Sequence, residues 1–143
     1  MATRAKVLFL CIGNACRSQM AEAIARHGAS DVIEPSSAGL VPFGEIPMIT
    51  LAVLSERGIS AEGQSSKPVR PEDMSAADIV INMTGRPGAT IFTEDVQQFE
   101  DWDVGDPYGS DLAVYREICD QIEARVDDLA RRLRENVGSP GAG

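Results

Sequence analysis

The chain has 143 residues, 43% of them hydrophobic and 24% charged, and its 22 acidic side chains outweigh 13 lysines and arginines to give a formal charge of −9. That length suits one domain with a buried core, and the acidic balance excludes the basic footprint that nucleic acid or an anionic membrane surface requires. No apolar run reaches the roughly 20 residues of a spanning helix, Met1 to Lys6 leads into a strand rather than a signal h-region, and three cysteines without paired spacing fit the reducing cytoplasm better than a disulfide framework.

Val7 to Cys11 is a continuous apolar run, the pattern of a strand buried on both faces. A short loop follows, and Ser18 to His27 carries the small and apolar residues of a packed helix, with His27 as a cation at its C-terminal end. Val32 and Ile33 open a second strand that ends near Ala38. Pro47 to Arg57 reads as a helix from Ile49, Leu51, Val53 and Leu54, and Gly58 is placed to stop it. Pro71 to Ala77 gives one short helical turn, and Ile79 to Ile81 a third strand.

Between Thr84 and Phe92, Gly85, Pro87 and Gly88 break either periodicity, so a loop and then a brief helix are expected. Val96 to Phe99 is the expected fourth strand, ahead of an acidic loop from Glu100 to Asp106. From Ser110 onward, Leu112, Tyr115, Ile118, Ile122, Val126, Leu129 and Leu133 recur at three- and four-residue steps, the mark of one long amphipathic helix. Cys119 falls on its packed face as a core thiol. Ser139 to Gly143 reads as a frayed tail, so the domain is taken as residues 1–137 with a flexible 138–143.

Alternating strands and helices imply an α/β fold with right-handed crossovers and a mainly parallel sheet covered on both faces. Ligands in such sheets sit at the strands' carboxyl ends, and the first strand ends in Cys11-Ile12-Gly13-Asn14-Ala15-Cys16-Arg17-Ser18. A thiol ends the strand and an arginine closes the loop before a helix start. An oxyanion there would meet the backbone N–H groups of Ile12, Gly13, Asn14, Ala15, Cys16, Arg17 and Ser18, with a nucleophilic sulfur beneath it. Gly13 and Asn14 tolerate φ > 0, which lets successive N–H groups turn inward, and Arg17 supplies a planar fork for two equatorial oxygens. Ser18 either donates its hydroxyl to the sulfur or caps the helix.

The octet, with Gln19 to Ala23 behind it, resembles the signature of the low-molecular-weight protein tyrosine phosphatases, a family that also includes thiol-coupled arsenate reductases. Ser37-Ala38-Gly39, Gln64-Ser65-Ser66-Lys67 and Asp106-Pro107-Tyr108 extend the resemblance over nearly the whole chain. It implies a phosphotyrosine phosphatase I-like three-layer sandwich with a four-stranded parallel sheet flanked by helices. It further implies Cys11 as nucleophile, Arg17 as oxyanion ligand and Asp106 as general acid, protonated at the outset and aided by burial beside Trp102 and Tyr108. Asp101, Asp103 and Asp111 read as solvated loop or helix-start residues.

Cys16 has two readings, a protective disulfide partner for oxidised Cys11, as the family's loop cysteine can be, or a small packed thiol. The aromatic after Asp-Pro makes Tyr108 a wall of the substrate cleft, and Phe43 is the candidate for the opposite wall. No metal or other cofactor is needed, since the lone His27 builds no metal site. The expected substrate is a phosphotyrosine protein or a small aryl phosphate, and the expected state a monomer. The alternative is an arsenate reductase using an external thiol (glutathione, mycothiol or glutaredoxin), because no cysteine lies between Cys16 and Cys119 to relay arsenic within the chain. Gly58-Ile59-Ser60, Gln64 to Lys67 and Trp102 resemble that branch. A non-catalytic oxyanion-binding protein is the third reading, and it has no use for Asp106.

Overall fold

Val7 to Cys11 is apolar throughout because it forms the interior of the sheet. In the computed structural model, which describes residues 4–93 and 95–137, Ala5–Cys11 (β1) lies between Ile33–Gly39 (β2) and Ile79–Asn82 (β3), and Phe99–Asp101 (β4) takes the far edge. All pairings are parallel, in the order β2-β1-β3-β4, and the register sets Cys11 beside Gly39. Alternation along β1 divides the core in two. Val7, Phe9 and Cys11 face the larger cluster, shared with Arg17–Gly28 (α1), Met48–Glu56 (α2) and Leu112–Val137 (α5). Leu8 and Leu10 face a smaller one with Ala38, Ala77 and Val80, backed by Met74 of Pro71–Ala76 (α3) and by Phe92, which follows Gly88–Ile91 (α4). This is the expected α/β three-layer sandwich.

The periodic segments fold as their spacing dictates. Along α5, Tyr115, Ile118, Cys119, Ile122, Val126 and Leu129 are buried, and Gly58, at φ +72°, ends the turn after α2. His27 stands exposed in the last turn of α1. None of the described helices is long and apolar enough to cross a membrane. The expected tail, 138–143, lies outside the described residues.

The fourth strand departs from expectation. Val96 to Phe99 does not pair as a unit. Val96 instead packs beneath the sheet in the smaller cluster, and the strand is Phe99–Asp101, with Val80 opposite Phe99 and Asn82 opposite Asp101. Its acidic side chains suit an edge because each has partners. Glu100 accepts from Arg132 and from Trp102 Nε1, and Asp101 accepts from Asn82 Nδ2 and the Gly88 amide. The guanidinium of Arg132 also holds the Glu100 carboxyl below the usual carboxylate range.

β2 ends where it meets the loop after β1. A Cβ at Gly39 would stand 2.8 Å from both the Asn14 amide nitrogen and the Ile12 carbonyl oxygen, so the backbone approach requires glycine on steric grounds. Gly39→Ala is therefore expected to lower stability by about 1–3 kcal/mol in urea unfolding. Gly28→Ala, where a Cβ would meet nothing within 4 Å, should be neutral or raise stability by up to about 1 kcal/mol; equal effects would refute the close-approach account.

Cys119 makes a second prediction. Burial pushes its thiol up to about 11, against about 8.5 for a free cysteine. The unfolded chain releases this proton first, so the folded state has its full advantage below about pH 8.5 and loses about 3 kcal/mol as pH rises through 11. Urea unfolding across that range should reveal the decline, and Cys119→Ala should make it shallower, leaving the part due to the buried Cys16 thiol; an unchanged slope in the variant would assign the loss to other groups.

Candidate active site

The loop from Cys11 to Arg17 is shaped by where its carbonyls go. The Cys11, Ile12 and Gly13 oxygens accept from the amides of Leu40, Val41 and Phe43 at 2.8 to 3.1 Å. Gln19 Nε2 donates to the Asn14 oxygen, Thr50 Oγ1 to the Ala15 oxygen and the Met20 amide to the Cys16 oxygen. With the carbonyls bonded outward, the amides of residues 12–16 have no protein acceptor among the described residues, and the first turn of α1 adds its own free N–H groups. Asn14 takes the left-handed conformation, at φ 48°. Gly13 does not need a positive φ; instead its missing side chain admits the Phe43 ring, which would come within 2.9 Å of a Cβ there. A concave row of amides of this kind binds tetrahedral oxyanions.

Ser18 serves the sulfur, not the helix end. Cys16 occupies the N-cap position of α1 with no side-chain cap, while Ser18 Oγ lies 2.9 Å from Cys11 Sγ and accepts from Asn14 Nδ2 at 2.7 Å. Because Asn14 supplies that hydrogen bond, the hydroxyl proton of Ser18 is free to point at Sγ. Arg17 is buried, and its Nη1 donates to the Met83 oxygen at 2.6 Å and the Val104 oxygen at 3.2 Å. Its Nη2 lies 3.6 Å from Asp106 Oδ2, so the guanidinium is clamped between the strand ends with one edge toward the loop.

Cys11, Ile12, Gly13, Ala15, Cys16, Arg17, Asp106, Phe43 and Tyr108 line one cavity of about 40 Å³. The Phe43 and Tyr108 rings meet edge to face across it, with centroids 4.8 Å apart. Asp106 is held at its other oxygen by the Tyr108 amide, but it is not buried: 53% of its side chain is exposed. The expected shelter from Trp102 fails because that indole is committed elsewhere, packed on Phe9 and bonded to Glu100. All three cysteines are free. Cys16 Sγ lies 3.4 Å from Tyr115 Oη, and burial pushes its thiol up. Cys119 is fully buried within the core, remote from this cavity's lining.

Two supports were not foreseen from the chain alone. Gln64 to Lys67 is a belt around the loop: Gln64 Nε2 donates to Gln19, Gln19 Nε2 to the Ser65 oxygen, Ser66 Oγ to the Gly13 oxygen, and the Lys67 amide to Asn14 Oδ1. Its polar, turn-like composition was the available signal, without a partner attached to it. The second is Asn82. Its Oδ1 accepts from both the Thr84 amide and hydroxyl, and its Nδ2 donates to the Arg86 oxygen and Asp101, which fixes the turn presenting the Met83 carbonyl to Arg17. An asparagine ending a strand reads as an ordinary turn residue.

The family model described as low molecular weight phosphotyrosine protein phosphatase matches residues 6–139. A glutaredoxin arsenate reductase from Synechocystis sp. is 36% identical over 130 residues, covering 90% of this chain and 98% of the relative. The solved arginine phosphatase of Geobacillus stearothermophilus superposes with a TM-score of 0.84 at 30% identity, covering 94% of this chain and 96% of its own. A low molecular weight protein tyrosine phosphatase from T. tengcongensis gives 0.79 at 31% identity, with coverage of 90% and 99%. With both sequence and backbone matched along almost its entire length, this chain belongs to the low molecular weight phosphotyrosine protein phosphatase family.

Proposed function

We propose that the protein is a cysteine-dependent phosphatase that cleaves phosphomonoesters, with phosphotyrosine proteins or small aryl phosphates as substrates, acting as a cytoplasmic monomer. The observation that carries the reading is the convergence of Cys11, Arg17 and Asp106 on one cavity, with Asp106 Oδ2 3.6 Å from the arginine. The Cys11 thiolate attacks phosphorus in line. Loop amides and Arg17 hold the equatorial oxygens, and the P–O bond to the leaving group breaks as the Asp106 carboxyl hydrogen passes to the departing oxygen. Water then attacks the thiophosphate, Asp106 takes a proton from it, and the S–P bond breaks with the Ser18 hydroxyl donating to the departing sulfur. Phe43 and Tyr108 touch edge to face at the cavity, so a substrate ring would part them and pack against their faces, covering Asp106 as it does so.

Cys16 lines the same cavity as Cys11, which supports a protective role over that of a merely packed thiol. When a peroxide oxidises Cys11 to a sulfenic acid, attack by the Cys16 thiol forms a disulfide and releases water, which forestalls further oxidation.

Arsenate reduction is the second reading, supported by the 36% identity to the Synechocystis enzyme. Cys119 does not line the cavity that holds Cys11, and no cysteine lies between Cys16 and Cys119 to relay arsenic, so the electrons would come from an external thiol.

A side-by-side assay separates these readings. Hydrolysis of aryl phosphate and phosphotyrosine peptide without added thiol is expected, with phosphoarginine included because of the arginine phosphatase likeness. Arsenite formed only with glutathione, mycothiol or glutaredoxin, and no phosphate released, would overturn the phosphatase assignment. Cys11→Ser should abolish turnover. Asp106→Asn should slow the first step by about 10²–10⁴-fold, most for poor leaving groups, whereas Ser18→Ala should slow the second step and let the phosphoenzyme accumulate in rapid-quench experiments.

A further inference from the structure

Beside the small cavity over Cys11 runs a groove of about 710 Å³ that the proposed chemistry does not use, between α2 and the segment 58–66. The two are joined. Gly44, at the groove's inner end, follows the wall residue Phe43. Ser66 Oγ accepts from the Gly44 amide at 3.1 Å and donates to the Gly13 oxygen at 3.2 Å, so one hydroxyl ties the groove to the loop. Apolar surface is supplied by Ile46 and Leu51, the latter 40% exposed, over the buried Ile59. The charged groups are of one sign: Glu45 and Glu62 are both exposed, no lysine or arginine lines the groove, and neither carboxylate has an ion-pair partner among the described residues.

Apolar walls beneath unpaired carboxylates match the anatomy of a lysine or arginine side chain, whose methylene stem packs on hydrocarbon while its charged head stays at the rim. Arsenate is held through its four oxygens alone and has no use for such a groove. A phosphoprotein does, because the residues flanking its phosphorylated side chain must lie somewhere beyond the Phe43 wall. We propose that the groove is a substrate-docking surface that receives the polypeptide flanking the phosphorylated residue and selects segments carrying lysine or arginine. This rests on the phosphatase reading and deepens it by naming a class of substrate. In a chain of charge −9 it also answers how an acidic enzyme attracts an anionic substrate: the attraction falls on the neighbouring residues, not on the phosphate.

The test uses phosphotyrosine peptides of one length whose flanking positions carry lysine, glutamine or glutamate, together with phenyl phosphate. The full-length protein should favour the lysine peptide over the glutamine peptide by about 3- to 10-fold in kcat/KM at low ionic strength, and the preference should shrink in 0.5 M salt as exposed pairs are screened. In Glu45→Gln/Glu62→Gln the preference should disappear while phenyl phosphate turnover stays as in the wild type. Equal rates on the three peptides, or a preference that survives the double substitution, would overturn the docking role while leaving the phosphatase reading intact. No hydrolysis of any peptide or of phenyl phosphate would overturn both.

Discussion

The outward bonding of the carbonyls from Cys11 to Cys16 is the constraint on which the rest of the site depends. A peptide unit that commits its oxygen in one direction commits its N–H in the other, so the amide cradle exists because six consecutive oxygens find donors behind the loop. The donors come from the segment after β2, from α1, from α2 and from the 64–67 belt. Gly39 is the geometric cost of that arrangement, since only a residue without a side chain lets β2 run close enough to the loop for Leu40, Val41 and Phe43 to reach it.

Arg17 is set by a different rule. A buried guanidinium needs hydrogen-bond partners, and the carbonyls of Met83 and Val104 supply them to Nη1 from the ends of two further strand connections. Its Nη2 faces Asp106 Oδ2 at 3.6 Å, and that carboxyl is half in solvent. The positive charge is local. Across a surface of net charge −9, it acts only over the short range in which screening is weak.

Much of this was legible in the chain. The strand, loop and helix around Cys11 were readable because each rests on local pattern: a continuous apolar run, residues that tolerate a turn, and small residues at helical spacing. The long helix was readable from the spacing of Leu112 to Leu133. What failed was non-local. Val96 to Phe99 has strand-like composition, yet pairing went to Phe99–Asp101 because Arg132, Trp102, Asn82 and Gly88 satisfy the acidic edge. Asp106 was expected to be sheltered by Trp102, which is near in sequence, but the indole was claimed by Phe9 and Glu100. The service of Asn82 to Arg17 was invisible for the same reason, since it acts through the Met83 carbonyl, 66 residues from the arginine.

The separation in sequence between the octet and its supports also bears on when the site comes into being. Cys11 and Arg17 are among the first residues synthesised, but the arginine lacks its second carbonyl anchor until Val104 has been made, and the loop lacks its belt until Lys67 has. A nascent chain therefore carries the thiol long before it carries the cradle, and the loop takes its shape only on the arrival of segments that supply it with hydrogen bonds. Competence for oxyanions is in this sense a property of the finished sheet, although every group that would touch the anion through the loop is encoded within its first strand and helix.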